Sequence, residues 1–211
     1  VESTVESTPA SAAGSELSPA ATRPGFPRPP ALPDPGLVRR YWYIRIAFGL
    51  VWAIDATLKW LPGFRAGYLD MVTSAAQGQP SWLSFWFDSW VRVIRPAPIA
   101  FAVVTAIAET ALCASLLFGI AQRVSFVFGT MFAFCIWGVG EGFGGPYMNG
   151  SSDIGCAVMY VLMFATLVLA VPRAVRAAAP ALDHRLVRRW SWFAPLTFCR
   201  GEAASQAEPL G

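Results

Sequence analysis

Residues 97–120, APIAFAVVTAIAETALCASLLFGI, form an apolar run whose single acidic or basic residue is Glu109. About 20 such residues are enough to cross a bilayer. Three further blocks of the same kind flank it, at about 41–61, 124–143 and 154–171. Four blocks so close together leave no amphipathic outer layer for a soluble domain. The expected fold is therefore an all-α integral membrane protein, with a four-transmembrane-helix bundle inside residues 37–173. The whole chain agrees, since 55% of its 211 residues are hydrophobic and only 14% charged. Soluble domains carry about 25% charged residues, so a soluble globular enzyme is not expected.

The ends have a different character. Residues 1–36 are rich in Ser, Ala, Pro and Glu and hold a VEST-VEST repeat, a composition that predicts a disordered tail. They contain no apolar run of the signal-peptide kind, so the first span is expected to act as the insertion signal. Residues 174–211 form a basic tail in which LDHRLVRRWSWF, residues 182–193, suits attraction to anionic lipid head groups. His184 is expected to be solvated there. Arg39 and Arg40 precede the first span, Arg123 lies in the second connection, and Arg173, Arg176, Arg185, Arg188 and Arg189 follow the fourth. The positive-inside rule then puts both termini in the cytoplasm of a multi-pass cell-membrane protein. Arg45 is expected to snorkel to that face.

Several function classes fall away on residue counts. The net charge of +3 comes from basic residues that flank apolar blocks, not from a basic face, so no nucleic-acid partner is expected. One histidine and four scattered cysteines supply no haem, iron–sulfur or zinc site.

Charges within the spans carry the positive signal. Each costs about 2.5–3.5 kcal/mol to insert, so each calls for a reason. Asp55 and Lys59 stand four apart on one face of the first span and can pair. Glu109 has no basic residue in its own span, Glu141 ends the third, and Asp153 starts the fourth and can cap it. The predicted topology gathers these groups towards the outer half, as a polar site. Asp55, Lys59, Glu109 and Glu141 are the candidate catalytic residues, for proton handling or hydrogen bonding to a quinone.

Two outer stretches complete the candidate site. Ser81–Arg95, SWLSFWFDSWVRVIR, places its aromatic and aliphatic residues on one half of a helix, as an interfacial helix or a lid would. Trp86 and Trp90 are its candidate binding residues. The connection GVGEGFGGPYMNGSSDIG, residues 138–155, has glycines for close approach and an Asn149-Gly150 turn that begins a glycosylation sequon. Gly144, Gly145, Tyr147 and Asp153 are candidates there for a head-group or partner pocket.

These motifs carry a resemblance. FGLVWAIDATLKWLPGF (residues 48–64), the Glu109 helix and EGFGGPYMNGSSDIGCAVMYVLMF (residues 141–164) together resemble the DoxX/DoxD family of four-helix membrane proteins. The strongest parts are Asp55-x-x-x-Lys59-Trp60-x-Pro62 and the Gly144-Gly145-Pro146-Tyr147 loop. Within residues 39–173, the similarity is to the DoxD-type small subunit of thiosulfate:quinone oxidoreductase. It implies a quinone cofactor and a separate DoxA-like or other redox subunit that together oxidise thiosulfate; it assigns no catalytic residues.

Two other readings stay open on the sequence. One is a non-catalytic membrane scaffold for a redox or stress-response complex, docking through the aromatic helix and the glycine loop. The other is a small proton-coupled transporter, for which four spans would suffice only in a homo-oligomer.

Overall fold

A computed structural model describes residues 32–147 and 153–199. The expected disordered tail up to residue 31, the Asn149-Gly150 turn with its sequon, and residues 200–211 lie outside the described residues. Among the described residues the chain is helical throughout, without a strand. The first helix, α1 (Pro35–Lys59), starts where Pro35 occupies its first turn and Asp34 accepts hydrogen bonds from the N–H groups of Gly36 and Leu37, at 3.1 and 3.2 Å. The helix thus takes in the last two residues of the expected tail. Pro62 and Gly67 then divide the connection after α1 into two short helices, α2 (Pro62–Ala66) and α3 (Tyr68–Ala75), that the apolar pattern did not announce. The aromatic stretch forms a 3₁₀ turn, Ser81–Leu83, followed by α4 (Ser84–Ile94).

Next come α5 (Pro98–Phe118), α6 (Gln122–Cys135) with a π-helical continuation at Ile136–Gly140, and α7 (Ala157–Leu169). Two helices are long and apolar enough to cross a membrane, Pro98–Phe118 and Gln122–Gly140. Only 33% and 28% of their most apolar windows is buried, so most of that apolar surface lies open. Their outward faces present Ile99, Val104, Ile107 and Met131, each more than half exposed. Helix α1 is longer, at 25 residues, but carries Arg39, Arg40, Arg45, Asp55 and Lys59. Helix α7 is apolar but only 13 residues long. It is held at both ends by charged side chains from other elements: Glu141 accepts the N–H of Ala157 at 3.0 Å, and Arg176 donates to the carbonyls of Leu167 and Val168. An acid at the N-terminus and a base at the C-terminus complement the helix dipole.

Aromatic side chains between α1, α6 and α7 make the core. Trp52, Phe126 and Phe164 are fully buried, and the Phe164 ring lies 4.9 Å from Phe48 and 5.4 Å from Trp52. Glycine lets these helices approach. A Cβ on Gly129 would stand 2.7 Å from the Phe164 ring, and one on Gly49 would stand 2.7 Å from Leu117.

The arginine-rich end is more ordered than its sequence suggested. Helices α8 (Arg173–Ala178) and α9 (Asp183–Arg189) fold the tail back across the ends of α5 and α6. The backbone N–H groups of Leu182 and Asp183 donate to the carbonyls of Phe118 and Gly119, at 2.9 and 3.0 Å. Asp183, fully buried, accepts from the N–H groups of Ala121 and Gln122 at 2.7 and 3.2 Å. Burial pushes its carboxyl upward in pKa, and those donated bonds pull it back. Two expectations are corrected. Arg45 does not snorkel: it is 1% exposed and donates from Nη2 to the Pro180 carbonyl at 2.7 Å. His184 is half-buried, between the Ala179 carbonyl at 3.2 Å and the Cys199 thiol at 3.4 Å.

Tyr41 closes this network by donating its hydroxyl to Gln122 Oε1 at 2.8 Å. Replacing Tyr41 with phenylalanine leaves that buried oxygen without its donor, a change worth about 1–2 kcal/mol. Thermal unfolding of the variant in detergent is expected to show that modest loss; an unchanged midpoint would mean the hydrogen bond contributes nothing.

Candidate functional site

At the opposite end, α1 stops and the short helices α2 and α3 lean on the first half of α5. A cavity of about 340 Å³ opens there, walled by α3, α4, α5 and the π turn. Its walls are mostly apolar, with Phe64, Phe101, Trp90 and Ile136 among them. Three of the four candidate catalytic residues line it: Lys59, Glu109 and Glu141. Asp55 stands behind, bound to Lys59.

Lys59 is the last residue of α1, which brings its stem alongside the middle of α5. Its Nζ donates to Asp55 Oδ1 at 2.8 Å and sits 3.6 Å from Glu109 Oε2. The ammonium also lies 5.3 Å from the centre of the Phe64 ring, within cation–π range. One cation therefore faces two carboxyls. The closer one is the more exposed, with 24% of the Asp55 side chain reached by solvent and none of Glu109. Neither Glu109 oxygen has a hydrogen-bond partner among the described residues. A buried acceptor left in that state costs about 1–3 kcal/mol, and more when charged, so Glu109 is held in place at the expense of stability.

The other polar groups around the cavity are engaged. Tyr68 and Thr105 share a hydrogen bond at 3.2 Å. Glu141 accepts from the Cys156 thiol at 2.9 Å and from the backbone of Ala157. Glu141 thus sits at the cavity's edge as the cap of α7. The sequence suggested Asp153 for that cap; Asp153 instead accepts the N–H of Gly155 at 2.8 Å, four residues before the helix has settled.

Trp86 and Trp90 reach the site in different ways. Trp90 forms part of the wall, whereas Trp86 donates its indole N–H to the Gly138 carbonyl at 3.2 Å, inside the π turn. Their rings meet 5.8 Å apart. Helix α4 is thereby fastened over the cavity by the Trp86–Gly138 hydrogen bond and by the contact of the Trp86 ring with Phe143, 6.0 Å between centres.

The glycine loop lines this cavity only at residues 139–141, and its candidate residues from Gly144 onward do not line it. Gly144 has φ +78°, and a Cβ there would lie 2.1 Å from the Ile154 backbone. Gly145 packs against the Gln79 amide, which donates to the carbonyls of Ala75 and Gly142 at 3.0 and 2.9 Å. Tyr147 donates to the Phe143 carbonyl and lines a separate crevice of about 380 Å³ with Gln79, Pro80 and Trp82. The candidate residues therefore divide into a charged cavity and a tightly turned loop beside it.

Tyr68, Thr105, Phe64 and Phe101 were not picked out from the sequence. A lone hydroxyl on an apolar helix gives no spacing signal, and α3 has to be placed before Tyr68 and Thr105 can meet. Comparison with family models, curated proteins and solved structures gave no match to this chain.

Proposed function

We propose that the chain is a four-span membrane subunit of a quinone-linked oxidoreductase, with both termini cytoplasmic and a separate redox subunit at its outer face. The observation that carries this reading is the apolar, aromatic-walled cavity holding one ammonium beside a buried carboxyl with no hydrogen bond. The outward apolar faces of α5 and α6 support the membrane setting. The similarity of residues 48–64 and 141–164 to the DoxD-type subunit points to thiosulfate as the electron donor.

The residues fit such a ligand. A quinone head group is a flat apolar ring with polar atoms on opposite edges, and pockets for such molecules are mostly apolar with a few placed polar groups. When bound, it supplies two-electron, two-proton carrier chemistry. Phe64, Phe101 and Trp90 hold the ring and exclude water. Lys59, with N–H groups beyond the one given to Asp55, donates to a ring oxygen. Glu109 holds or releases a proton at its carboxyl oxygens, and Asp55 keeps the ammonium charged and oriented.

The test is to purify the full chain from its native membranes in mild detergent and extract what accompanies it. Quinone at near one per chain is expected, together with a redox subunit. Narrowing the cavity by Thr105→Trp is expected to remove the quinone. A preparation without quinone, from membranes whose thiosulfate-driven quinone reduction does not depend on the chain, would sink the reading.

A further inference from the structure

The polar groups around the cavity are not evenly supplied. The Tyr68 and Thr105 hydroxyls share one hydrogen bond with each other, and Glu141 accepts two hydrogen bonds from Cys156 and Ala157. Glu109 is fully buried, lines the space, and has two acceptor oxygens without a donor. Lys59 faces Glu109 as a charge but makes no hydrogen bond to it, its Nζ standing 2.8 Å from Asp55 and 3.6 Å from Glu109. What the site lacks is a hydrogen-bond donor supplied from the cavity.

In its ionised form, which the neighbouring Lys59 ammonium favours, Glu109 is an acceptor only, and a quinone carbonyl is too, so the two cannot bond and their lone pairs repel. A hydroquinone carries O–H groups in the same positions and can donate to Glu109. We infer that this site selects the reduced, hydroxyl-bearing form of its ring ligand, with Glu109 as the residue that discriminates. This inference rests on the quinone reading and adds which redox form the site prefers. The principle is that of sites built to bond a hydroxyl, which discriminate strongly against the analogue without it.

A redox consequence follows by linkage. Tighter binding of the reduced form raises the midpoint potential of the bound couple, by about 30 mV for each tenfold of preference in a two-electron couple. The site would then accept electrons from a weaker reductant than the free quinone pool does.

The test uses the full chain in lipid nanodiscs under oxygen-free conditions, with duroquinone and durohydroquinone as probes. Equilibrium dialysis against chain-free nanodiscs corrects for partition into lipid. The wild-type chain is expected to bind durohydroquinone about tenfold or more tightly than duroquinone, the scale of one hydrogen bond to a charged group. Glu109→Gln, whose amide can donate as well as accept, is expected to bring the ratio to about one. Glu109→Asp, which keeps the charge but withdraws it by one methylene, is expected to lose part of the preference. Equal affinities for the two forms in the wild-type chain, or tighter duroquinone binding, would overturn the inference and leave the quinone reading intact. Binding of neither form would overturn both. A preference unchanged in both variants would overturn the assignment to Glu109.

Discussion

Replacing Lys59 with methionine is expected to destabilise the protein by about 3–5 kcal/mol, the usual cost of removing one partner from a buried ion pair. The ammonium is the cation that faces both Asp55 and Glu109, at 2.8 and 3.6 Å. Methionine preserves the stem's volume and removes only the charge, leaving two carboxyls close together with nothing between them. Glu109, with no solvent contact, bears most of the penalty. For a chain of this size the loss corresponds to a fall on the order of 10 °C in the unfolding midpoint. The double variant Lys59→Met/Glu109→Gln is expected to recover most of it, because the remaining buried group is then neutral. A double-mutant cycle on thermal midpoints measures the coupling. If the two losses simply add, the ammonium is not compensating Glu109 and the site's electrostatics have been misjudged.

The second large effect lies at the other end of the molecule. Gly119 terminates α5 with φ +67° and donates its N–H to the Ser115 carbonyl at 2.8 Å. A Cβ there would stand 2.5 Å from Arg45 Nη1 and 2.6 Å from Ala181 Cβ. Arg45 cannot swing aside freely, because it is buried and bonded to Pro180. Gly119→Ala therefore combines a left-handed backbone, about 1–2 kcal/mol, with overpacking of about 1–3 kcal/mol. The expected loss is about 2–5 kcal/mol, with earlier protease cleavage between α8 and α9 as the returning tail lifts. Gly63→Ala is the control, since nothing lies within 4 Å of its added methyl; it is expected to be neutral. Equal behaviour of the two variants would show that the Gly119 close approach is not what holds the tail.

These two residues also show what a sequence can and cannot disclose. Lys59 and Asp55 are four apart on one helix, so their pairing follows from local geometry alone. Glu109 stood out because an acid inside an apolar run is expensive, and topology placed it towards the same end. Helices α5 and α6 were legible for the same reason, as long apolar runs whose punctuation falls at Pro98 and Gly119. The Arg45–Pro180 and Tyr41–Gln122–Asp183 contacts join distant parts of the chain, and no periodicity encodes them. The tail's arginines and tryptophans fit a lipid surface equally well, which hid the buried Asp183 among them. Glu141 was singled out for its charge near the membrane boundary, but its part in capping α7 depends on how the glycine loop folds back.

Helix α7, pinned between Glu141 and Arg176, has a consequence for the surrounding lipid. Its 13 residues span about 20 Å at 1.5 Å per residue, roughly 10 Å less than a typical hydrocarbon core. On the proposed membrane reading, acyl chains beside α7 must tilt or compress, while those beside α5 need not. Such mismatch costs fractions of a kcal/mol per ångström, enough to sort proteins among bilayers of different thickness. The protein would then indent the membrane on one flank, and that dent would bias which lipids collect around it.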